Sequence, residues 1–111
     1  MTRFGVVLRP EMAPEDIVDA ARAADTSGVD EVWLWEDCFF SGGISTAALV
    51  LANTEHVNVG IGVLPTPMRN VAATAMEIAT VARIHPGRLR VGLGHGVQSW
   101  MGQIGGRVQS P

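Results

Sequence analysis

A parallel α/β fold made of βα repeats is what this sequence predicts, on three observations. Short apolar, β-branched runs alternate with stretches whose apolar residues recur at helical spacing. The runs return roughly every 26–30 residues, which leaves room for one helix between each pair, as parallel strands with right-handed crossovers require. Glycine or proline marks most of the breaks between the periodic segments, as at Pro10, Gly28, Gly42-Gly43 and Pro86-Gly87, where turns are needed.

The elements follow in order. "RFGVVL" (3–8) is the first strand. Pro14 suits a first helical turn, and Glu15 and Asp16 suit the positive end of the helix dipole. Ile17, Ala21 and Ala24 then mark one face of a helix over 14–27, closed by Ser27-Gly28. "EVWLW" (31–35) is the second strand, with Trp33 and Trp35 on one face as packing residues. A loop, "EDCFFSGG" (36–43), leads to a helix outlined by Ile44, Ala47, Ala48 and Leu51. "VNVGIGV" (57–63) is the third strand and "LPTPMRN" (64–70) the loop after it. Val71, Ala75, Ile78 and Ala82 outline a third helix, stopped by His85-Pro86-Gly87. "RLRVGL" (88–93) is the fourth strand, and a loop-like, glycine-rich tail follows. Two architectures fit this order: a doubly wound open sheet, or part of an eight-stranded barrel. A barrel takes about 250 residues, so these 111 hold less than half of one. We expect the front of a longer protein; the alternative is a small independent α/β domain.

Composition narrows the function. With 47% hydrophobic and 17% charged residues the chain is globular. No apolar run reaches the roughly 20 residues of a membrane-spanning helix, and the first apolar run ends at Arg9-Pro10, unlike a signal peptide. The single cysteine, Cys38, excludes an internal disulfide and makes the cytoplasm the expected compartment. Net charge is −3, with eight arginines, no lysine and no basic stripe, so no nucleic-acid partner is expected.

In a parallel α/β fold, chemistry sits beyond the carboxyl ends of the strands. Four loops qualify: 9–13, 36–43, 62–70 and 94–100. Glu36-Asp37, directly after "VWLW", is the acid/base candidate, because a carboxylate beside aromatic walls is desolvated. Adjacent side chains diverge, so one of the two is expected to face the site while the other caps a helix or is solvated. His95, between Gly94 and Gly96, is either a proton-transfer residue or a backbone-bonded loop histidine. His56 and His85 read as structural, and Cys38 as buried and inert. Asp37, Cys38 and His95 match no metal-ligand spacing, so no metal is expected. "GLGHG" is not a dinucleotide fingerprint: Val97 stands where the third glycine should be, and the stretch follows the fourth strand. Gly60 and Gly62 share one strand face, as do Gly92, Gly94 and Gly96. The expectation is that these glycines leave a bay for a planar, flavin-like ring.

"GVDEVWLWEDCFF" and "VGIGVLPTPMRN…AMEIATVARIHPGRLRVGLGHGVQSWMGQIG" resemble the N-terminal half of the luciferase-like family. More narrowly, they are similar to its branch that uses the deazaflavin coenzyme F-420, including methylenetetrahydromethanopterin-reductase-type enzymes. The match runs over essentially the whole chain. The resemblance implies the first four strands and three helices of a (β/α)8 TIM barrel, with coenzyme F-420 or FMN at the carboxyl ends of the strands. It implies a non-proline cis peptide at the Gly62–Val63 position. It implies hydride transfer between the ring and a small organic substrate, or monooxygenation when FMN and oxygen are used. Carried over residue by residue, the catalytic positions are Glu36, Asp37 and His95. The cofactor-binding positions are Gly62, Val63, Leu64, Arg69, Gly94, His95 and Gly96, with Arg69 neutralising an anionic cofactor group. Three departures stand out: Asp37 replaces the usual histidine, Val97 stands at a family glutamate, and Arg69-Asn70-Val71 lacks the usual proline. Residues for the coenzyme's phosphate tail come largely from later strands. A homo-oligomer or a missing C-terminal half is expected, and the 111 residues alone should bind cofactor poorly and turn over nothing. The competing reading is a non-catalytic half-barrel or interaction module that needs a partner chain to complete its fold.

Overall fold

The computed structural model describes residues 2–108. Four parallel strands, β1 (Gly5–Val7), β2 (Glu31–Leu34), β3 (Asn58–Pro65) and β4 (Leu89–Gly94), lie in the order β1-β2-β3-β4. Three helices connect them: α1 (Pro14–Thr26), α2 (Gly43–Ala52) and α3 (Val71–Ile84). The strand order chooses between the two architectures. A doubly wound sheet reverses direction at a switch point. Here every crossover steps the same way, so right-handed connections place all three helices on one face. This is the arrangement of one side of a (β/α)8 barrel, whose helices all lie on one face of the sheet.

The two-residue period of the strands divides the side chains. Val32, Leu34, Val59 and Ile61 are buried against Ile17 and Ala21 of α1 and against Ala47, Val50 and Leu51 of α2. Burying each large aliphatic side chain contributes about 1.5–3 kcal/mol, so this layer holds the sheet to its helices. On the opposite face Trp33 lies against Gly5, Gly60 and Gly62, and Arg90 of β4 reaches Glu31 of β2 at 2.6 Å.

Element ends follow local chemistry where the chain supplies it. α1 starts at Pro14 with Glu15 and Asp16 in its first turn, and Gly28 just beyond it has φ +84°, a conformation glycine adopts cheaply. Asn70 caps α3 by accepting the Ala72 N–H at 2.8 Å. Other ends depart from the sequence reading. β1 is shorter than residues 3–8. β3 runs on to Pro65 because a bulge between Ile61 and Leu64 shifts its register against β4. The tail is not all loop: a helical turn, α4 (Gln98–Met101), follows β4 and passes into a 3-10 turn at Gly102–Ile104. Among the described residues no helix is long and apolar enough to cross a membrane.

Asp25, near the end of α1, fastens the loop before β3. Its carboxylate accepts the backbone N–H groups of Glu55, His56 and Val57 at 2.8–2.9 Å. Burial pushes its pKa up, but the three N–H donors and the adjacent His56 ring outweigh this and hold it below the ordinary value of 3.8. A lowered carboxyl pKa contributes stability above the unfolded-state value, and that stability is lost as pH falls through the folded-state value. Asp25→Ala is therefore expected to destabilise the protein by about 2 kcal/mol at neutral pH. In thermal melts the gap between wild type and variant should shrink as pH drops below 3.8. A gap that is constant with pH would contradict this account.

Candidate functional site

A cavity of about 310 Å³ opens beyond the carboxyl ends of β2 and β3 and beneath the loop after β4. Its walls are Trp35, Glu36, Asp37, Gly62, Val63, Gly96 and Val97. Three segments distant in sequence meet there because the parallel register carries each strand's end to the same rim.

The Gly62–Val63 peptide at the β3 bulge is cis, as the resemblance implies, and so is Cys38–Phe39, which no sequence signal marked. The Val63 carbonyl accepts the Glu36 N–H at 3.3 Å, tying the bulge to the end of β2.

Glu36 has a side chain only 2% exposed, and its oxygens are committed. They accept both terminal nitrogens of Arg69 at 2.8 and 3.0 Å. One also accepts the N–H of Gly43 at the first turn of α2, where a negative charge meets the positive helix end. Asp37, also buried, accepts the N–H of Cys38 at 3.1 Å. Both carboxylates thus reach the wall, but only Asp37 has lone pairs that no cation engages. The Arg69 guanidinium, expected on a cofactor anion, lies on Glu36 instead.

Other expected residues sit differently. Leu64 is fully buried in the core beside Gly43, so its side chain does not reach the cavity. His95 is exposed and does not line the cavity. The glycine bay is mostly filled by the protein itself. A Cβ on Gly60 would fall 2.4 Å from the Trp33 ring, and one on Gly94 would fall 2.8 Å from Val63. These two glycines therefore admit neighbouring side chains rather than a ligand. Gly96 sits at φ +77° with Met101 and Pro65 packed on it, and only its backbone faces the cavity. What stays open is the Gly62–Val63 shelf, where a Cβ on Gly62 would meet only Trp33, at 3.4 Å.

Cys38 is buried, with its sulfur 4.0 Å from that of Met68. Burial and then the Asp37 charge push its pKa up, so the thiol stays protonated at neutral pH. Among the described residues no three His, Cys, Asp or Glu side chains cluster closely enough to hold a metal ion.

An aromatic chain at the rim escaped the sequence reading. Trp35, a cavity wall, meets Phe40 edge-on at 6.5 Å, and Phe40 meets Trp100 of α4 at 5.7 Å. The only available signal was the density of aromatics in "WLWEDCFF", since Trp100 is distant in sequence.

A larger hollow of about 460 Å³ lies at the opposite rim, lined by Arg22, Asp25, Asn53 and His56 among others. Its polar groups serve each other: Arg22 donates to Asn53 at 2.6 Å, and Asp25 holds the loop before β3. It lies away from the carboxyl ends of the strands and is structural.

Known proteins share this fold. The profile of the luciferase-like monooxygenase family matches residues 1–107. The 5,10-methylenetetrahydromethanopterin reductase of Methanolobus tindarius is 31% identical over 108 residues, covering 97% of this chain and 33% of its own. The solved coenzyme F-420-dependent tetrahydromethanopterin reductase of Methanopyrus kandleri superposes with a TM-score of 0.82 at 25% identity, over 93% of this chain and 30% of that one. A type II Baeyer–Villiger monooxygenase of Pseudomonas putida, solved with FMN, shares the fold with a TM-score of 0.79 at 20% identity, over 87% of this chain and 30% of that one. The chain thus spans about a third of the length of these relatives.

Proposed function

The chain belongs to the luciferase-like monooxygenase family, and from that premise we propose that it forms one wall of a flavin or deazaflavin site serving the oxidoreduction of a small organic substrate. The observation that carries this reading is the shelf at Gly62–Val63, which faces a cavity at the carboxyl ends of the strands. Its small residue and exposed backbone fit a flat ring at the rim; the space deeper between the strands is taken by Trp33 and does not fit one. Gly62, Val63 and the Gly96 backbone would hold the ring, which when bound supplies the hydride chemistry that no side chain here provides.

The chain's own residues do the rest. Trp35 and Val97 give the cavity apolar walls. Asp37 presents a buried carboxylate at the cavity wall, with the oxygen not bonded to Cys38 placed to take or give a proton. Glu36 and Arg69 are positioning residues, joining the end of β2, the first turn of α2 and the segment after β3. His95 takes no proton step in this scheme.

Titrating FMN and coenzyme F-420 with the purified protein tests the reading. Saturable quenching of one ring's fluorescence is expected, shallow because later strands of such a barrel hold the phosphate tail. Quenching of neither would overturn it. A second reading, an interaction module completed by a partner chain, is favoured by an apolar groove of about 320 Å³ outside β4, lined by Ile78, Ala82, Leu89, Val91 and Leu93. Sedimentation separates the two: a monomer that quenches a ring supports the first reading, and a dimer that quenches none supports the second.

A further inference from the structure

We propose that the mouth of this site takes an uncharged aromatic substrate and turns away phosphate- and carboxylate-bearing ones. The inference rests on the ring site proposed above and names the substrate class that would reach it.

Two independent features of the rim carry it. The first is shape and apolarity. Trp35 is part of the cavity wall and starts an edge-to-face chain through Phe40 to Trp100. Phe40 is 42% exposed, Val97 48% and Val63 39%, all at this end of the strands. Rings held edge-on to one another leave faces and edges free for a further aromatic group, and such a pair adds stabilisation beyond its burial.

The second feature is charge. The ionisable walls of the cavity are two carboxylates, Glu36 and Asp37. Arg69, whose two terminal nitrogens donate to Glu36 at 2.8 and 3.0 Å, has a side chain only 22% exposed. Arg9, on the loop after β1, pairs with Glu11, and Arg107 packs beside Gly102 beyond α4 rather than on the cavity wall. Among the described residues no guanidinium is part of the cavity wall, so an anion entering the mouth would face the Asp37 carboxylate. Such a juxtaposition of like charges works as discrimination, since it raises the free energy of the wrong ligand more than that of the right one.

A matched pair of probes tests this. 2-Naphthol and 2-naphthyl phosphate share the ring system and differ in charge. Calorimetric titration of the wild-type protein should show naphthol binding about tenfold or more tightly than the phosphate. Trp100→Ala should weaken naphthol binding about fivefold or more, and Asp37→Asn should raise the affinity for naphthyl phosphate by about threefold or more. The wild-type comparison stands alone if a variant does not fold. Equal or tighter binding of the phosphate, or no binding of naphthol, overturns the proposal. FMN and F-420 quenching measured on the same preparation keeps the two ideas apart. Ring quenching without naphthol preference sinks the substrate class alone; naphthol preference without ring quenching sinks the ring site.

Discussion

Replacing Arg69 by alanine is expected to lower the stability of the fold by about 3 kcal/mol, near the lower end of the range for breaking a buried ion pair. The loss comes from what is left behind more than from what is removed. Glu36 is 2% exposed, so without the guanidinium its charge would stay buried with the Gly43 N–H as its remaining strong donor. A bidentate pair also fixes orientation, and here it joins the end of β2 to the segment between β3 and α3. Arg69 keeps partial contact with water, which is why the lower end applies. Small domains are stable by about 5–15 kcal/mol in total, so such a loss should be plain in urea melts. Replacing both partners with leucine should cost less than Arg69→Ala alone, because no unpaired charge is then left inside. A single-variant loss below about 1 kcal/mol would mean that the pair behaves as a surface pair, and its positioning role would fall with it.

The second large effect is expected from Gly60→Ala, at about 2–3 kcal/mol of destabilisation by overpacking. The added methyl would lie 2.4 Å from two carbons of the Trp33 ring and 2.7 Å from a third. The ring has little room to retreat. Its opposite flank is in contact range of Gly5, and its nitrogen donates to Glu31 at 3.4 Å. Trp33→Leu should remove most of the clash, so the double variant should be more stable than the sum of the two single losses predicts. Additive losses in denaturant titrations would show that Gly60 is not there to receive Trp33. The ring site would then regain the deeper bay that the structure assigns to tryptophan.

These two residue pairs show how much a sequence reading reaches. Pro14, Ile17, Ala21 and Gly28 define α1 within the chain's own local spacing, and the observed helix differs from the expected one by a residue. α3 and the four strands are likewise readable, since the apolar period is a local property. The ends supplied from elsewhere were not readable. α2 has no side-chain cap of its own; the charge at its first turn belongs to Glu36 of the preceding strand's end.

The same division applies at the site. Glu36 and Asp37 are legible from their position after a strand, Gly62 and Gly96 from the shared-face glycine pattern and the family resemblance, and all four line the cavity. Their partners were hidden. Glu36 and Arg69 are 33 residues apart, and no spacing rule connects them.

By itself, the sequence determined the alternation of strands and helices, the rim where chemistry would sit, and the residue types gathered at that rim. Tertiary structure alone decided the strand order, the ion pair that commits Arg69 to Glu36, and the filling of the Gly60 space by Trp33. The physical reason is that periodicity and turn chemistry are carried by neighbours along the chain. Which atoms occupy a gap or satisfy a charge is set instead by register, through pairings such as Trp33 with Gly60, and register exists only once the sheet has formed.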